Sequence, residues 1–135
     1  MDRGAGAQAK PVKRDLLLPA LVVCAAATLF HHVHNAEFLD QYPNMPVWIS
    51  PLGVYAAWIA ATAAGCSGYW LLRSGRAIAG SALLIAYGGY GLDGLVHYAL
   101  APAAAHTLAM NVSIWLEAVS AALLLGVLTL QRREK

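Results

Sequence analysis

Four long apolar stretches, separated by short polar segments, account for most of the chain. They cover about residues 16–39, 51–72, 77–100 and 104–130, and each is close to the roughly 20 residues that an α-helix needs to cross the hydrocarbon core of a bilayer. The segments between them contain Pro, Asn, Gly and Ser, which are typical of turns. Because these connections are short, successive helices must run antiparallel. The pattern predicts an all-α integral membrane protein with four transmembrane helices in an up-down-up-down bundle.

Basic residues lie on only one side of this predicted topology. The nine Lys and Arg fall within residues 1–15, in the turn between the second and third helices, and within residues 131–135. Antiparallel helices place these three segments on the same side of the membrane. The positive-inside rule then puts both termini in the cytoplasm. We expect a flexible N-terminal tail over residues 1–15, a transmembrane domain over 16–130 and a basic tail over 131–135, in the inner membrane of a bacterium.

Composition agrees with a membrane protein and excludes several other classes. Of the 135 residues, 59% are hydrophobic and 12% are charged, whereas about 25% of the residues in a soluble domain are charged. A net charge of +2 is too small to indicate nucleic-acid binding. The two cysteines, Cys24 and Cys66, form no CxxC motif, which excludes a zinc ribbon or a thioredoxin-like site. The lipid bilayer is therefore the first partner that the composition indicates.

Ionisable side chains within the predicted helices gather in the half of the bundle that faces outward. The sequence FHHVHNAEFLDQYP, at residues 30–43, ends the first helix, while Asp93, His97 and His106 lie at the adjoining ends of the third and fourth helices. Glu117 follows His106 by eleven residues, which is about 16 Å along a helix and near the middle of the membrane. An ionisable side chain that faced lipid would cost several kcal/mol. We therefore predict one outward-facing site inside the bundle.

Helical spacing predicts which side chains of the third and fourth helices share a face. Asp93 and His97 stand at positions i and i+4, with Tyr90 a turn deeper. On the fourth helix, polar side chains and a methionine recur at three- and four-residue spacing and form one stripe: His106, Met110, Ser113, Glu117 and Ser120. Both faces are expected to point into the site.

The first two helices complete the predicted site. On the first helix, His31, His34 and Asn35 share a face, and His32 is expected to point elsewhere. The second helix has no charged residue and supplies aromatic side chains instead. The predicted walls of a substrate pocket are Tyr55, Trp58 and Tyr90.

The residue types in this site are those that bind metal ions. Neutral imidazoles and carboxylates coordinate zinc, copper and iron, and helix bundles build such sites from inward-facing pairs. The predicted metal ligands are His31, His34, Asp93, His97 and His106. Glu117 and Asp93 are the predicted catalytic residues of a membrane enzyme that acts on a small or lipophilic substrate. We therefore expect a divalent or transition metal ion as the cofactor.

Several alternatives remain open at this level. The same residues suit a metal-free acid–base enzyme of the isomerase type, or a carrier that passes protons or a metal ion inward. Histidines on two helices could also ligate haem. A non-catalytic subunit of a larger membrane complex is the remaining alternative. Whatever its activity, the chain could also assemble into a homo-oligomer. An enzyme is favoured over a carrier because the inner half of the bundle continues the polar path poorly.

Overall fold

The structure is a computed structural model that describes residues 15–133. These residues form an all-α structure without strands, which confirms the predicted helical class. The five helices are α1 (Leu17–Glu37), α2 (Pro51–Arg73), α3 (Ala77–Tyr90), α4 (His97–Leu100) and α5 (Leu108–Arg133), with short 3₁₀ turns at Leu39–Gln41, Asp93–Val96 and Ala103–Ala105. The predicted flexible tail, apart from Asp15, and the last two residues of the predicted basic tail lie outside the described residues.

Local chemistry explains where the second helix begins and ends. The Ser50 hydroxyl accepts a hydrogen bond from the Gly53 N–H at 3.2 Å, and Pro51 occupies the first turn, where its missing N–H is not needed. After Arg73 the chain reverses through Gly75, whose φ of +84° is in the left-handed region that favours glycine. The helix bounds of α2 therefore follow directly from its flanking residues.

Asp15 ties the start of α1 to the end of α2. Its carboxylate accepts hydrogen bonds from the Leu17 N–H and the Tyr69 hydroxyl, each at 3.1 Å, and lies 3.3 Å from an Arg73 nitrogen. Partial burial opposes ionisation, but these hydrogen bonds and the guanidinium together hold the pKa of Asp15 below its usual range. This contact joins the two helices at the end opposite the histidines.

The four long helices contact one another in a closed order. α1 packs against α2 and α5, and α3 packs against the same two helices. An apolar core fills the half that contains the start of α1 and the end of α5, and its largest members are Leu17, Leu21, Leu84, Tyr87, Leu124 and Leu128. The opposite half contains the histidines, so apolar and polar interiors are separated along the helix axes.

The third predicted helix is not continuous, which corrects the sequence-based prediction. α3 has 14 residues and ends at Tyr90, and residues 91–100 form a turn, a 3₁₀ segment and the single-turn α4. The glycine-rich sequence YGGYGLDG explains the break, because glycine weakens a helix interior. Asp93 and His97 therefore do not stack on one α-helical face, since positions four apart in a 3₁₀ segment are rotated by about 120°.

Two helices are long and apolar enough to cross a membrane by length and composition, namely Leu17–Glu37 and Leu108–Arg132. Buried core helices of soluble proteins meet the same criterion. The fourth predicted stretch also begins later than expected, because His106 precedes α5 rather than lying on it.

We predict that Gly80→Ala destabilises the protein, because α2 and α3 approach too closely for a side chain there. A Cβ atom on Gly80 would lie 2.5 Å from the Leu72 nitrogen and 2.7 Å from the Gly68 carbonyl oxygen. Displacing backbone to relieve such overpacking costs about 1–3 kcal/mol. The thermal unfolding midpoint in detergent should fall. Gly89→Ala is the control, since no atom within 4 Å would meet its Cβ, and an equal fall in both variants would contradict the prediction.

Candidate functional site

A fully buried carboxyl group lies at the centre of the polar half. Glu117 on α5 has no exposed surface, its Oε2 is 3.5 Å from His31 Nε2, and its Oε1 is 3.4 Å from His32 Nδ1. Neither carboxyl oxygen has a hydrogen-bond partner among the described residues. The backbone at Gly94 passes directly over the carboxyl, where a Cβ atom would lie 2.5 Å from Oε2. A side chain at this position would displace the carboxyl group.

α1 presents two adjacent histidines to this carboxyl. Its buried polar residues are Thr28, His31, His32 and Asn35, at positions i, i+3, i+4 and i+7. The prediction that His32 points elsewhere is therefore wrong. Extending the same spacing back to the buried Cys24 and Leu21 would have placed His32 on the interior face, because the whole helix buries one stripe.

Hydrogen bonds fix the tautomer of His31. The Ser113 hydroxyl donates to the Met110 carbonyl oxygen at 2.9 Å, so it must accept from His31 Nδ1 at 3.1 Å. With Nδ1 protonated, a neutral His31 has a bare Nε2 that faces Glu117. His31 Nε2 is thus oriented to accept a proton from the Glu117 carboxyl if the 3.5 Å between the two atoms shortens.

His32 links the same carboxyl to a tyrosine. Its Nδ1 lies 2.8 Å from the Thr28 carbonyl oxygen and therefore donates to it, while its Nε2 lies 2.7 Å from the Tyr90 hydroxyl. Tyr90 was predicted to form a wall of the substrate pocket. Through His32 it contacts the cluster of polar side chains around Glu117. Side chains of α1, α3 and α5 meet at this point.

Two further histidines pack around a buried tyrosine of the loop after α1. The Tyr42 ring centroid is 4.7 Å from that of His97 and 6.4 Å from that of His106, and the Tyr42 hydroxyl is 2.9 Å from His34 Nδ1. Burial raises the pKa of Tyr42, so its hydroxyl stays protonated. Sequence analysis missed Tyr42 as a site residue because nothing in an irregular loop indicates which side chains turn inward.

His97 and His106 each keep one ring nitrogen without a hydrogen-bond partner. His97 Nε2 is 3.2 Å from the Asn35 amide nitrogen and His106 Nδ1 is 3.1 Å from the Pro102 carbonyl oxygen. Their other nitrogens, His97 Nδ1 and His106 Nε2, are buried without a partner among the described residues. Such unpaired buried atoms are costly and mark a site with unused binding capacity.

A cavity of about 580 Å³ adjoins the cluster. One wall is polar and comes from α1 and residues 90–97: His31, His32, Asn35, Tyr90, Asp93 and His97. The facing wall is mainly apolar and comes from the loop before α2 and its first turns: Met45, Pro46, Trp48, Ile49, Val54 and Ala57. The volume and the mixed lining are those of a small-molecule site.

Some predicted site residues lie away from this cavity. The Tyr55 hydroxyl donates to Glu37 Oε1 at 2.7 Å, and Trp58 Nε1 donates to Thr28 Oγ1 at 3.1 Å, so neither ring forms a cavity wall. Half-buried His34 contacts Tyr42 instead of Glu117. Within residues 15–133, no three or more His, Cys, Asp or Glu side chains are grouped so as to hold a metal ion.

Comparisons with protein-family models, curated proteins and solved structures find no match for this chain. The chemistry of the site is therefore inferred from its own residues.

We predict that Ser113→Ala destabilises the protein more than Ser120→Ala. Both hydroxyls donate to the carbonyl three residues earlier, but only Ser113 also accepts from a histidine. Removing that acceptor leaves the His31 Nδ1–H buried and unpaired, at a cost of about 1–3 kcal/mol. Thermal unfolding in detergent measures the difference. Equal effects of the two substitutions would show that the Ser113–His31 hydrogen bond contributes nothing.

Proposed function

We propose that this chain is a four-span membrane protein with cytoplasmic termini, and that the half containing Glu117 and the histidines faces outward. The distribution of side chains supports the proposal, because the exterior exposes more large apolar side chains than a soluble protein usually does. Large apolar side chains are exposed on all four long helices, as at Val22, Ile59, Ile85 and Val119, which are 49–60% exposed. Polar side chains fill the interior only in the half that contains the histidines. Lipid would cover this apolar exterior and leave the polar groups inside.

Within that frame, we propose that the protein is an acid–base enzyme that acts on a small, mainly apolar molecule held in the cavity. The observation that carries the proposal is the position of Glu117, whose buried carboxyl lies between two histidines that also line the cavity. His32 and Tyr90 would pass a proton between the bound molecule and Glu117. Asp93, on the cavity wall, would contact the substrate directly. A positioned acid and base of this kind is the general requirement for proton-transfer catalysis.

A metal site is a second candidate, favoured by one observation. His31 and His106 each donate one ring N–H to a neighbouring acceptor and leave the other nitrogen free of a hydrogen bond. Metal-bound histidines show the same division, because the second nitrogen orients the ring. His97 Nε2 faces the Asn35 amide nitrogen and accepts from it, so the proton on His97 Nδ1 would have to leave before that nitrogen could bind a metal. The ring centroids of His31 and His97 are 5.4 Å apart, and those of His97 and His106 are 6.1 Å apart. Zinc, copper or iron would bind there if the rings turned toward a common point.

The proposed topology predicts which engineered cysteines are accessible from outside. In a background without Cys24 and Cys66, an impermeant thiol reagent applied to intact cells should label Asn44→Cys and Ala103→Cys, which lie in the loops at the histidine end. Ser74→Cys, in the turn beside Arg73, should react only after the membrane is opened. Labelling of Ser74→Cys in intact cells would show that the orientation is opposite to the one proposed.

The proposed chemistry predicts that Glu117→Gln abolishes proton exchange with a membrane substrate. Gln keeps the shape and hydrogen-bonding capacity of the side chain but cannot carry the proton. Membranes that contain the protein are incubated in D₂O, and extracted lipids are analysed by mass spectrometry for deuterium on carbon. The wild-type protein should catalyse deuterium incorporation into one lipid species. Glu117→Gln should catalyse the same incorporation about 10²- to 10⁴-fold more slowly. Equal labelling by both proteins would contradict an acid–base role for Glu117.

Controls separate this mechanism from general destabilisation and from the metal candidate. Glu37→Gln changes an exposed glutamate at the end of α1 and should leave labelling unchanged. A chelator should not reduce labelling if no metal takes part. The metal candidate instead requires stoichiometric metal in the purified protein, lost in His97→Ala and His106→Ala but retained in His34→Ala. Elemental analysis decides between the two.

A further inference from the structure

Asp93 places a carboxylate on the cavity wall without a basic partner. It begins the 3₁₀ segment after α3 and is exposed. Within residues 15–133, no Lys or Arg forms an ion pair with it. The nearest described arginine along α2 is Arg73, which lies sixteen residues beyond the cavity residue Ala57, or about 24 Å along the helix. Among the described side chains, no Lys or Arg therefore provides a full positive charge to Asp93.

Two of the cavity histidines, His31 and His97, do not supply a cation. A cationic His97 would need hydrogen-bond acceptors at both ring nitrogens. Its Nε2 faces the Asn35 amide nitrogen, and its Nδ1 has no partner among the described residues. His31 is held as the Nδ1–H tautomer by Ser113, with its bare Nε2 toward Glu117. Neither His31 nor His97 therefore offers a positive charge to Asp93.

The apolar wall completes a site for an amphiphile. Met45, Pro46 and Ile49 face the polar wall across the cavity, and Trp48 and Tyr90 add aromatic surface that attracts cations. Next to the cavity, Val47, Trp48 and Val96 are 102%, 80% and 56% exposed. In a membrane these side chains would lie against lipid, so a molecule that partitions into the bilayer could enter beside them.

We propose that the cavity binds a lipophilic monocation, a protonated amine with an apolar body. Its ammonium group lies against the Asp93 carboxylate and its apolar part against the wall formed by residues 45–49 and the start of α2. Charge complementarity carries the assignment, because an unpaired carboxylate at the edge of a mainly apolar cavity favours a cationic partner over a neutral or anionic one. This inference rests on the proposed function, since the same cavity would hold the substrate, and it names the chemical class of that substrate.

Dodecylamine and dodecan-1-ol are matched probes of this proposal. They have the same apolar chain and differ in the charge of the head group at neutral pH. Binding to the full-length protein in phosphatidylcholine nanodiscs is measured by titration calorimetry, with empty nanodiscs as the reference for partitioning. The amine should bind at least about tenfold more tightly than the alcohol, as expected for a charge-assisted hydrogen bond. Equal affinity of the wild type for the two probes would overturn the proposal.

Substitutions locate the source of the preference. Asp93→Asn should remove the preference for the amine and leave the affinity for the alcohol unchanged, whereas Asp40→Asn, at an exposed residue outside the cavity, should change neither. Ala57→Phe, which fills the cavity from α2, should weaken the binding of both probes. A preference for the amine that persists in Asp93→Asn would also overturn the proposal. If a variant fails to fold, the comparison of the two probes on the wild type still decides.

The outcome is separable from that of the proposed enzymatic function. Glu117→Gln should keep the preference for the amine while losing deuterium exchange, because Glu117 lies behind the histidines and outside the cavity lining. If the wild-type protein shows deuterium exchange but no preference for the amine, only the proposed class of ligand is contradicted. Amine binding without any exchange that depends on Glu117 would remove only the acid–base chemistry.

Discussion

The burial of the Glu117 carboxyl is the constraint on which the polar half of the structure depends. A carboxyl group without water or a basic side chain must be neutral or share a proton with a neighbour. His31 and His32 lie within 3.5 Å of its two oxygens and are the groups available for that purpose. Their own positions are fixed in turn by Ser113 and by the Thr28 carbonyl oxygen. One buried group therefore accounts for the alignment of α1 against α5.

The same carboxyl explains why the third apolar stretch is not one helix. The backbone at Gly94 lies against Glu117 Oε2, where any side chain would collide with it. A continuous α-helix from Ala77 to Leu100 would instead place regular helical turns, with their side chains, beside the Glu117 carboxyl. The break after Tyr90 instead turns Asp93 toward the cavity and leaves His97 buried beside Tyr42. The cavity is thus a consequence of close packing around the carboxyl.

Periodicity predicted the helices of this chain better than it predicted the site. The starts and ends of α1 and α2 lie within two residues of those expected, and for α2 the Ser50 cap, Pro51 and Gly75 mark them. The stripe from Met110 to Ser120 is buried as expected. The spacing of the glycines in residues 88–94 does not reveal whether a helix ends there or only packs closely against its neighbour. The prediction that Asp93 and His97 share one face of a continuous helix was therefore wrong. Tyr42 could not be found because its inward turn depends on tertiary contacts alone.

The two carboxyl groups have different surroundings, and this difference allows them to act separately. Glu117 is enclosed by histidines and backbone, where a protonated, neutral carboxyl costs less than an ionised one. Asp93 lies at an exposed position on the cavity wall, where an ionised carboxylate can meet a ligand. A bound cation would be held by the outer carboxylate and would stay apart from the proton on the inner one. Holding a substrate and moving a proton would therefore be assigned to different residues, with His32 and Tyr90 between them.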